Sequence, residues 1–247
     1  MTQAISVITG GGTGIGRALA LQLAGQGSAV LVVGRRSGPL EKLAGERSGV
    51  EPCAADISTR DGQAKLRAAV GDRTLGCLIH NAGVLTPVGP LLEQSAEAIR
   101  ESFAINVEAP IALTRLLRPA MISGARILHI SSGAAHRALP GWGAYCMSKA
   151  ALYMAYEVLK QELAGSGITV GSLRPGVVDT AMQALIRAQD ELDFPAVERF
   201  RALKEAGELT RPEDVARFVE AVLKLPAEQF SRGEWDIREH WNEVRPD

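Results

Sequence analysis

Short apolar segments alternate with helical patterns along almost the whole chain, and this alternation restricts the possible folds more than any other feature of the sequence. Seven segments have the length and character of buried strands: 4–9, 29–33, 50–54, 75–79, 126–131, 169–173 and 233–237. Helical patterns fill the gaps: 17–24, 39–45, 59–70, 96–118, 143–163, 181–206 and 212–224. Strands that alternate with helices pair in parallel through right-handed crossovers. We therefore predict an α/β fold, a doubly wound parallel sheet with helices on both faces.

Length and charge set limits on the domain organisation and on the partners. The chain has 247 residues without a repeat, linker or low-complexity segment, so we expect residues 1–247 to form one domain. Its formal net charge is −1, and no basic stripe is present that could hold a phosphate backbone. We therefore expect a small-molecule substrate and no nucleic-acid partner.

Other composition features concern the compartment. The first predicted strand begins at Ala4, which leaves no room for a signal peptide, and no apolar run approaches the ~20 residues of a membrane span. The three cysteines, Cys53, Cys77 and Cys146, are widely spaced and odd in number, as expected in a reducing compartment. The four histidines lack the spacing of metal ligands. We expect a cytoplasmic protein that binds no membrane and no metal.

A glycine-rich turn, TGGGTGIG, joins the first predicted strand to the first predicted helix. Glycines let the backbone turn tightly and approach a pyrophosphate, whose charge then lies at the helix N-terminus. The spacing is G-x-x-x-G-x-G rather than the common G-x-G-x-x-G. An ordinary glycine-rich turn is the alternative, but the position between strand and helix favours a dinucleotide site. The predicted contacts are Gly10, Gly12, Thr13, Gly14, Ile15 and Gly16.

The end of the second predicted strand bears on the choice of cofactor. An NAD site of this architecture needs an acidic residue about 20 residues past the glycines, to bind the ribose hydroxyls. Gly34 stands at that place and is followed by Arg35 and Arg36. A guanidinium there can pair with a 2′-phosphate, although two solvated arginines at a strand end are the alternative. The pattern indicates NADP(H).

The carboxyl ends of three further strands carry candidate cofactor contacts. Ligands of open α/β sheets bind at this edge. The residues are Asp56 and Ile57 after the third strand, Asn81, Ala82 and Gly83 after the fourth, and Pro175, Gly176, Val177 and Thr180 after the sixth. Asp56 has an alternative role as the N-cap of the helix that begins near Ser58.

The candidate catalytic residues lie around the start of the helix 143–163. Tyr145 and Lys149 are four positions apart and therefore share a helix face, and Ser132 follows the fifth predicted strand. A cation within ~4–6 Å favours phenolate, so Lys149 is expected to lower the pKa of Tyr145 from its usual value of about 10. This makes Tyr145 a candidate general acid–base, with Ser132 beside it to hold a carbonyl. The alternative is a helix with a snorkelling lysine.

Taken together, TGGGTGIG, HNAG, Ser132, Tyr145-x-x-x-Lys149 and the Pro175–Gly176 turn resemble the short-chain dehydrogenase/reductase family over nearly the whole chain. The resemblance implies a single Rossmann-like domain and nicotinamide-dependent interconversion of carbonyl and alcohol. It makes Asn106, within the helix 96–118, the fourth catalytic residue, which anchors a water that returns the proton. Tyr145 and Lys149 also become cofactor contacts, and Val177 and Thr180 hold the nicotinamide amide. A homodimer or homotetramer is implied, assembled through 96–118 and 143–163.

Further motifs resemble the sepiapterin reductase and benzil reductase group of that family. They are GWGAYC, GVVDTAMQ, LKEAGEL and FSRGEWD at residues 141–146, 176–183, 203–209 and 230–236. This resemblance implies NADPH-dependent reduction of a diketone or a pterin side chain. It makes Trp142 and Asp236, besides Ser132, substrate contacts, with Asp236 as the anchor for the N–H edge of a pterin. The charged segment 181–206 becomes the substrate lid, whereas the tail 240–247 matches nothing.

Three alternatives stay open at this point. The chain could be another reductase of the family, acting on 3-oxoacyl or hydroxysteroid substrates. It could be a non-catalytic NADP-binding regulatory protein, because fold does not fix function. It could also work as a dehydrogenase in the cell, since the direction depends on cofactor ratios.

Overall fold

Seven strands form one parallel sheet in the order β3-β2-β1-β4-β5-β6-β7. The architecture comes from a computed structural model, which describes residues 4–244. The strands are β1 (Ile5–Thr9), β2 (Val30–Gly34), β3 (Val50–Ala54), β4 (Leu75–His80), β5 (Met121–Ile130), β6 (Thr169–Arg174) and β7 (Glu234–Asp236). The predicted α/β class with a parallel sheet is confirmed.

Helices cover both faces of this sheet. They are α1 (Gly14–Gly25), α2 (Ser37–Glu46), α3 (Arg60–Val70), α4 (Ala96–Phe103), α5 (Ala109–Leu117), α6 (Gly143–Glu162), α7 (Ala181–Arg187), α8 (Val197–Glu205), α9 (Pro212–Lys224), α10 (Ala227–Phe230) and α11 (Ile237–Val244). Successive strand residues point to opposite faces. Accordingly, Ile8 of β1 packs in the cluster that contains α1, α2 and α9, whereas Val7 packs in the cluster of α3 and α5. Both side chains are fully buried.

The strand order reverses direction at β1, which lies between β2 and β4. The connections leaving β1 and β4 therefore turn to opposite sides and open a crevice at the carboxyl ends of these strands, where ligands of doubly wound sheets bind. Gly10 and Asn81 directly follow the two strands and lie at this crevice. The fold thus brings residues from distant parts of the sequence to one edge.

The predicted helix 96–118 is interrupted in its middle. A π-helical segment, Ala104–Glu108, separates α4 from α5 and contains Asn106. Pro110 has no N–H to bond the carbonyl of the residue four positions earlier, so the regular hydrogen-bond ladder cannot continue there. Single π-turns of this kind are frequent at functional sites.

The predicted helix 181–206 is wrong as a single helix. It consists of α7 and α8, joined by a turn in which the Asp190 carboxylate accepts a hydrogen bond from Asp193 N at 2.9 Å. Pro195 in the same connection cannot donate to a helical ladder. Two other boundaries also differ: β5 begins at Met121, five residues before the predicted start, and β7 is shorter than predicted.

The described part of the chain ends in helix α11, which covers most of the tail that matched no motif. Trp241 packs its ring 5.8 Å from that of Phe218 in α9, so this helix is docked on the core. The remaining residues of the tail, 245–247, lie outside the described part of the chain. None of the helices within residues 4–244 has the length and apolar character needed to cross a membrane.

Candidate active site

The glycine-rich turn after β1 has the conformation that its composition predicts. Gly10 and Gly14 adopt φ values of +66° and +53°, which residues with a Cβ rarely adopt. Gly16 has another function. A Cβ on Gly16 would lie 2.3 Å from the Gly10 carbonyl oxygen, so only glycine allows α1 to pack against the turn. The structure therefore places Gly16 behind the turn, where it maintains the turn's shape.

Hydrogen bonds connect the ends of β1 and β4. The Asn81 amide donates to the carbonyl oxygens of Thr9 at 2.9 Å and Gly10 at 3.2 Å. In return, the Thr9 hydroxyl accepts from the backbone N–H groups of Asn81 and Ala82, both at 3.1 Å. Asn81 thus fixes the glycine turn relative to the neighbouring loop.

A groove of ≈ 570 Å³ follows this edge of the sheet. The predicted cofactor contacts that line it are Gly10, Gly12, Thr13, Gly14, Ile15, Arg35, Arg36, Asp56, Ile57, Asn81, Ala82, Gly83 and Thr180. The residues fit a nicotinamide dinucleotide: the N-terminus of the 12-residue helix α1 follows a turn in which Thr13 alone separates Gly10, Gly11 and Gly12 from Gly14, and such a turn lets a phosphate approach the backbone. The structure thus brings these segments together along one groove.

Asp56 and Arg35 lie near each other in this groove. The Asp56 carboxylate accepts hydrogen bonds from Ser58 N at 3.0 Å and from Ser58 Oγ at 2.6 Å. These bonds lower the pKa of Asp56, to which the charge of Arg35 adds. The alternative that Asp56 caps the following helix is wrong, because Thr59 accepts the capping bond from Gly62 N at 3.0 Å.

A second cavity, of ≈ 400 Å³, continues from the groove. The two share lining residues, among them Ile15, Asn81, Gly83 and Thr180. Of the predicted site residues, the second cavity is lined by Ser132, Trp142, Tyr145, Lys149, Pro175, Gly176 and Val177. The predicted catalytic and nicotinamide-side residues, apart from Asn106, therefore meet in one cavity.

Lys149 and Tyr145 lie on the same face of α6, as the spacing predicts. The Lys149 ammonium donates to the Ile130 carbonyl oxygen at 2.8 Å and lies 5.8 Å from the centre of the Tyr145 ring. Burial raises the pKa of Tyr145 to about 12, and the nearby Ser132 hydroxyl opposes part of that rise. Burial likewise lowers the pKa of Lys149 to about 8. The predicted lowering of the Tyr145 pKa is therefore wrong for this structure, because desolvation is the largest effect and the Ser132 hydrogen bond offsets only part of it.

Ser132 lies just beyond the end of β5. Its hydroxyl accepts a hydrogen bond from Ala134 N at 3.1 Å and so caps a short 3₁₀ turn, Gly133–Ala135. This bond uses one lone pair of the hydroxyl, which also hydrogen-bonds the Tyr145 side chain. Ser132 is therefore fixed beside Tyr145, where its O–H group can turn to a carbonyl oxygen.

Asn106 is buried in the π-helical segment and clamps the loop after β4. Its Oδ1 accepts from Val84 N and its Nδ2 donates to Val84 O, both at 2.9 Å, while Nδ2 also donates to Ser148 Oγ at 2.9 Å. One lone pair of Oδ1 remains for a water. A Cβ on Gly83 would lie 3.3 Å from Asn106 Oδ1 and 3.7 Å from Lys149 Nζ, so both residues adjoin Gly83.

Aromatic side chains form the apolar wall of the second cavity. Trp142 stacks on Phe194 with ring centres 4.5 Å apart and meets the Tyr145 ring edge-on at 5.7 Å. Phe200 of α8 completes the cluster, 5.3 Å from Trp142. The wall fixes the Tyr145 ring and offers a flat apolar surface. The sequence did not predict Phe194 and Phe200 as cavity residues, because a single helix over 181–206 would not bring both rings to Trp142.

Asp236 does not line either cavity. Its side chain is fully buried at the end of β7, where it accepts bonds from Arg238 Nε at 3.0 Å and Nη2 at 2.6 Å, and lies 3.3 Å from Arg174 Nε. Burial alone would raise the pKa of Asp236, but the Arg238 hydrogen bonds and both positive charges hold it below its usual value. In this arrangement Asp236 acts on the second cavity only through the two arginines, which line it.

We predict that Asp236→Asn destabilises the protein by about 1.5–3 kcal/mol, the range for hydrogen bonds to charged groups. The denaturant midpoint measures this loss. Because the folded pKa is lowered, the contribution of Asp236 is present above the pKa of the unfolded side chain and is lost as pH falls. Variant and parent should therefore converge in acid. Glu243→Gln, which removes an exposed ion pair with Arg232, serves as the control and should change little. If Asp236 anchored a pterin instead, the Asp236→Asn variant would show a higher KM for sepiapterin alone and an unchanged free energy of unfolding.

Four arginines at the second cavity were not predicted as site residues: Arg137, Arg174, Arg199 and Arg238. A signal existed for Arg174 alone, because it ends β6 directly before the Pro175–Gly176 turn at the ligand-binding edge. The others come from a loop and two helices whose position depends on the complete fold.

Comparison with known proteins agrees with this geometry. Residues 4–191 match the family model for short chain dehydrogenases. A benzil reductase ((S)-benzoin forming) of Bacillus subtilis (strain 168) is 33% identical over 228 residues, 90% of this chain and 94% of the relative. The Bacillus cereus benzil reductase is 33% identical over 246 residues, 92% and 96% of the two chains. Carbonyl reductase [NADPH] 2 of Sus scrofa is 31% identical over 223 residues, 89% and 87% of the two chains.

Solved structures give the same result. The KRED1-Pglu enzyme superposes with a TM-score of 0.88 at 29% identity, covering 94% of this chain and all of its own. A 3-ketoacyl-(acyl-carrier-protein) reductase from Brucella melitensis complexed with NADH superposes with a TM-score of 0.82 at 25% identity, covering 95% and 96%. This chain therefore belongs to the short-chain dehydrogenase/reductase family, nicotinamide-dependent oxidoreductases that interconvert carbonyl and alcohol groups.

Proposed function

We propose that this protein is an NADPH-dependent carbonyl reductase that converts a ketone, of the diketone or pterin side-chain type, to an alcohol. The observation that carries the proposal is the position of Ser132 and Tyr145 beside buried Lys149, in a cavity continuous with a dinucleotide groove. The similarity to two benzil reductases supports a diketone. The flat wall of Trp142 and Phe200 suits an aromatic substituent.

The residues of the second cavity divide the proton chemistry among them. Ser132 donates a hydrogen bond to the ketone oxygen and orients it. Tyr145 then gives its phenolic proton to that oxygen as negative charge develops there. A phenol with a pKa of about 12 is fully protonated at neutral pH, as a proton donor must be. Lys149 stabilises the phenolate that remains, and Asn106 holds the water through which the proton is replaced.

The cofactor would lie in the groove, held by the glycine turn, Asn81 and Arg35. Bound there, NADPH would supply the hydride for the carbonyl carbon. Thr180, which lines both the groove and the cavity, and Val177, which lines the cavity, would hold the nicotinamide amide. Arg35 and Arg36 would bind the 2′-phosphate, since both are exposed and line the groove. Helices α7 and α8 would act as the lid over the substrate.

We further propose a cytoplasmic homodimer or homotetramer. Exposed apolar side chains on α5 and α6, Ile111, Met154 and Val158, support assembly through these helices. The location in the cytoplasm rests on the composition.

A substrate panel tests the proposed function. NADPH oxidation would be followed with benzil, 1-phenyl-1,2-propanedione and sepiapterin, beside a 3-oxosteroid and a 3-oxoacyl thioester. We expect turnover of the diketones or sepiapterin at a kcat/KM at least tenfold above that of the last two. Faster reduction of the steroid or thioester would contradict the proposed substrate type. Tight NADPH binding without turnover of any ketone would indicate a regulatory protein.

A further inference from the structure

The second cavity has an unusual distribution of charge for a protein whose formal net charge is −1. Arginines from four separate segments line it, together with Lys149. No aspartate or glutamate lines it within residues 4–244. None of these four arginines lines the groove proposed for the cofactor. The positive charge therefore belongs to the substrate side.

Two of the arginines, Arg174 and Arg238, are held in place by carboxylates that do not themselves line the cavity. Arg174 Nε lies 3.1 Å from Glu234 Oε2 and 3.3 Å from Asp236 Oδ2. The side chains of Glu234 and Asp236 are only 7% and 0% exposed. Buried carboxylates of this kind fix the guanidinium position, and a positioned donor loses less entropy when it binds a ligand.

The other two, Arg137 and Arg199, have no ion-pair partner among the described side chains. Arg137 follows the 3₁₀ turn of Ser132, and Arg199 lies on α8 with its guanidinium 5.9 Å from the Phe200 ring centre. Exposed arginines are often merely solvated. Two unpaired guanidinium groups that both line one largely apolar cavity are better explained by an anionic ligand, because such a cavity strengthens charge–charge attraction.

We propose that the physiological substrate is a ketone that carries a carboxylate, which the arginines of the second cavity bind. This inference rests on the proposed function and specifies its substrate class. The guanidinium group matches a carboxylate through two parallel hydrogen bonds. The carboxylate takes no part in the reaction: the carbonyl carbon gains a hydride, its oxygen gains the Tyr145 proton, and the acid group is released unchanged. Its binding raises kcat/KM by steering and orienting the ketone.

A matched set of substrates tests this. The set comprises 4-carboxybenzil, its methyl ester and benzil, which share the same diketone. We expect kcat/KM for the acid to exceed that for the ester by about tenfold at low ionic strength, and the ratio to shrink as salt is added. Arg137→Gln and Arg199→Gln should each lower the ratio about two- to fivefold, and the double variant should lower it further. Arg118→Gln is the control, because this exposed arginine precedes β5 at the opposite edge of the sheet.

The outcomes separate this inference from the proposed function. Equal rates for acid and ester, or a ratio unchanged in the double variant, overturn the carboxylate site while diketone reduction stands. If no diketone is reduced, calorimetric titration of NADP⁺-loaded protein with 4-carboxybenzil and with its ester tests whether the carboxylate site exists. Preferential binding of the acid, lost in the double variant, supports the site without the activity, and equal binding of acid and ester overturns it.

Discussion

Replacing Tyr145 with phenylalanine is expected to lower kcat for ketone reduction by about 10²- to 10⁴-fold, the contribution of a positioned general acid. The variant keeps the ring that packs edge-on against Trp142 at 5.7 Å, so folding and the shape of the cavity should persist. It loses only the proton that the developing alkoxide needs. The measurement is single-turnover oxidation of NADPH with a saturating diketone, together with NADPH affinity by fluorescence titration.

Tyr153→Phe provides the matched control for this experiment. Tyr153 lies on the same helix and donates a hydrogen bond to Glu157 at 3.1 Å, but it lines neither cavity. The same chemical change at this position should leave kcat within about twofold. A Tyr145→Phe variant with near-native kcat would remove Tyr145 from the mechanism. Loss of NADPH binding or of the folded state in that variant would show that its role is structural.

The sequence predicted the positions of Tyr145 and Lys149 but not the direction in which the surrounding structure shifts the pKa of Tyr145. The four-residue spacing and the helix pattern were sufficient to place Tyr145 and Lys149 on one face. The sign of the Tyr145 pKa shift is set mainly by desolvation, which the Ser132 hydrogen bond only partly offsets. The Tyr145 ring is buried in a cluster with Trp142, Phe194 and Phe200, and the last two are distant in sequence. Local spacing contains no information about that packing, so the predicted lowering failed.

The same distinction applies to the fold. Strand and helix patterns are local, and they predicted the parallel sheet with most of its elements correctly. The break between α7 and α8 is also indicated locally, because Asp190 favours a turn and Pro195 cannot donate to a helical hydrogen-bond ladder. Asp236 differs, because Arg174 reaches it only after β6 and β7 are paired, although its other partner, Arg238, is two residues away. No property of residues 230–236 alone reveals that its carboxylate is already occupied.

Arg35→Ala is expected to weaken NADPH binding by about ten- to a hundredfold and to leave NADH binding nearly unchanged. Arg35 and Arg36 are the only cationic side chains among the described residues that line the groove, and Asp56 is the only anionic one. A guanidinium in charge-assisted contact with a 2′-phosphate contributes roughly 1.5–3 kcal/mol, which corresponds to that range. NADH has no 2′-phosphate, so its affinity for the variant should equal its affinity for the parent. Thr13 argues against a preference for NADPH, because many NADP-dependent members of the family carry a basic residue at that position, directly before Gly14.

Calorimetric titration with adenosine 2′,5′-bisphosphate and with AMP isolates this contact, since the two ligands differ by the 2′-phosphate alone. The parent should prefer the bisphosphate, and Arg35→Ala should abolish most of that preference. Arg36→Ala shows how far the neighbouring guanidinium shares the phosphate. Arg60→Ala serves as the control, because this exposed arginine at the start of α3 does not line the groove. Equal affinities of the parent for NADPH and NADH would contradict the assignment, and a preference that survives both groove substitutions would place the phosphate on the backbone of the glycine turn.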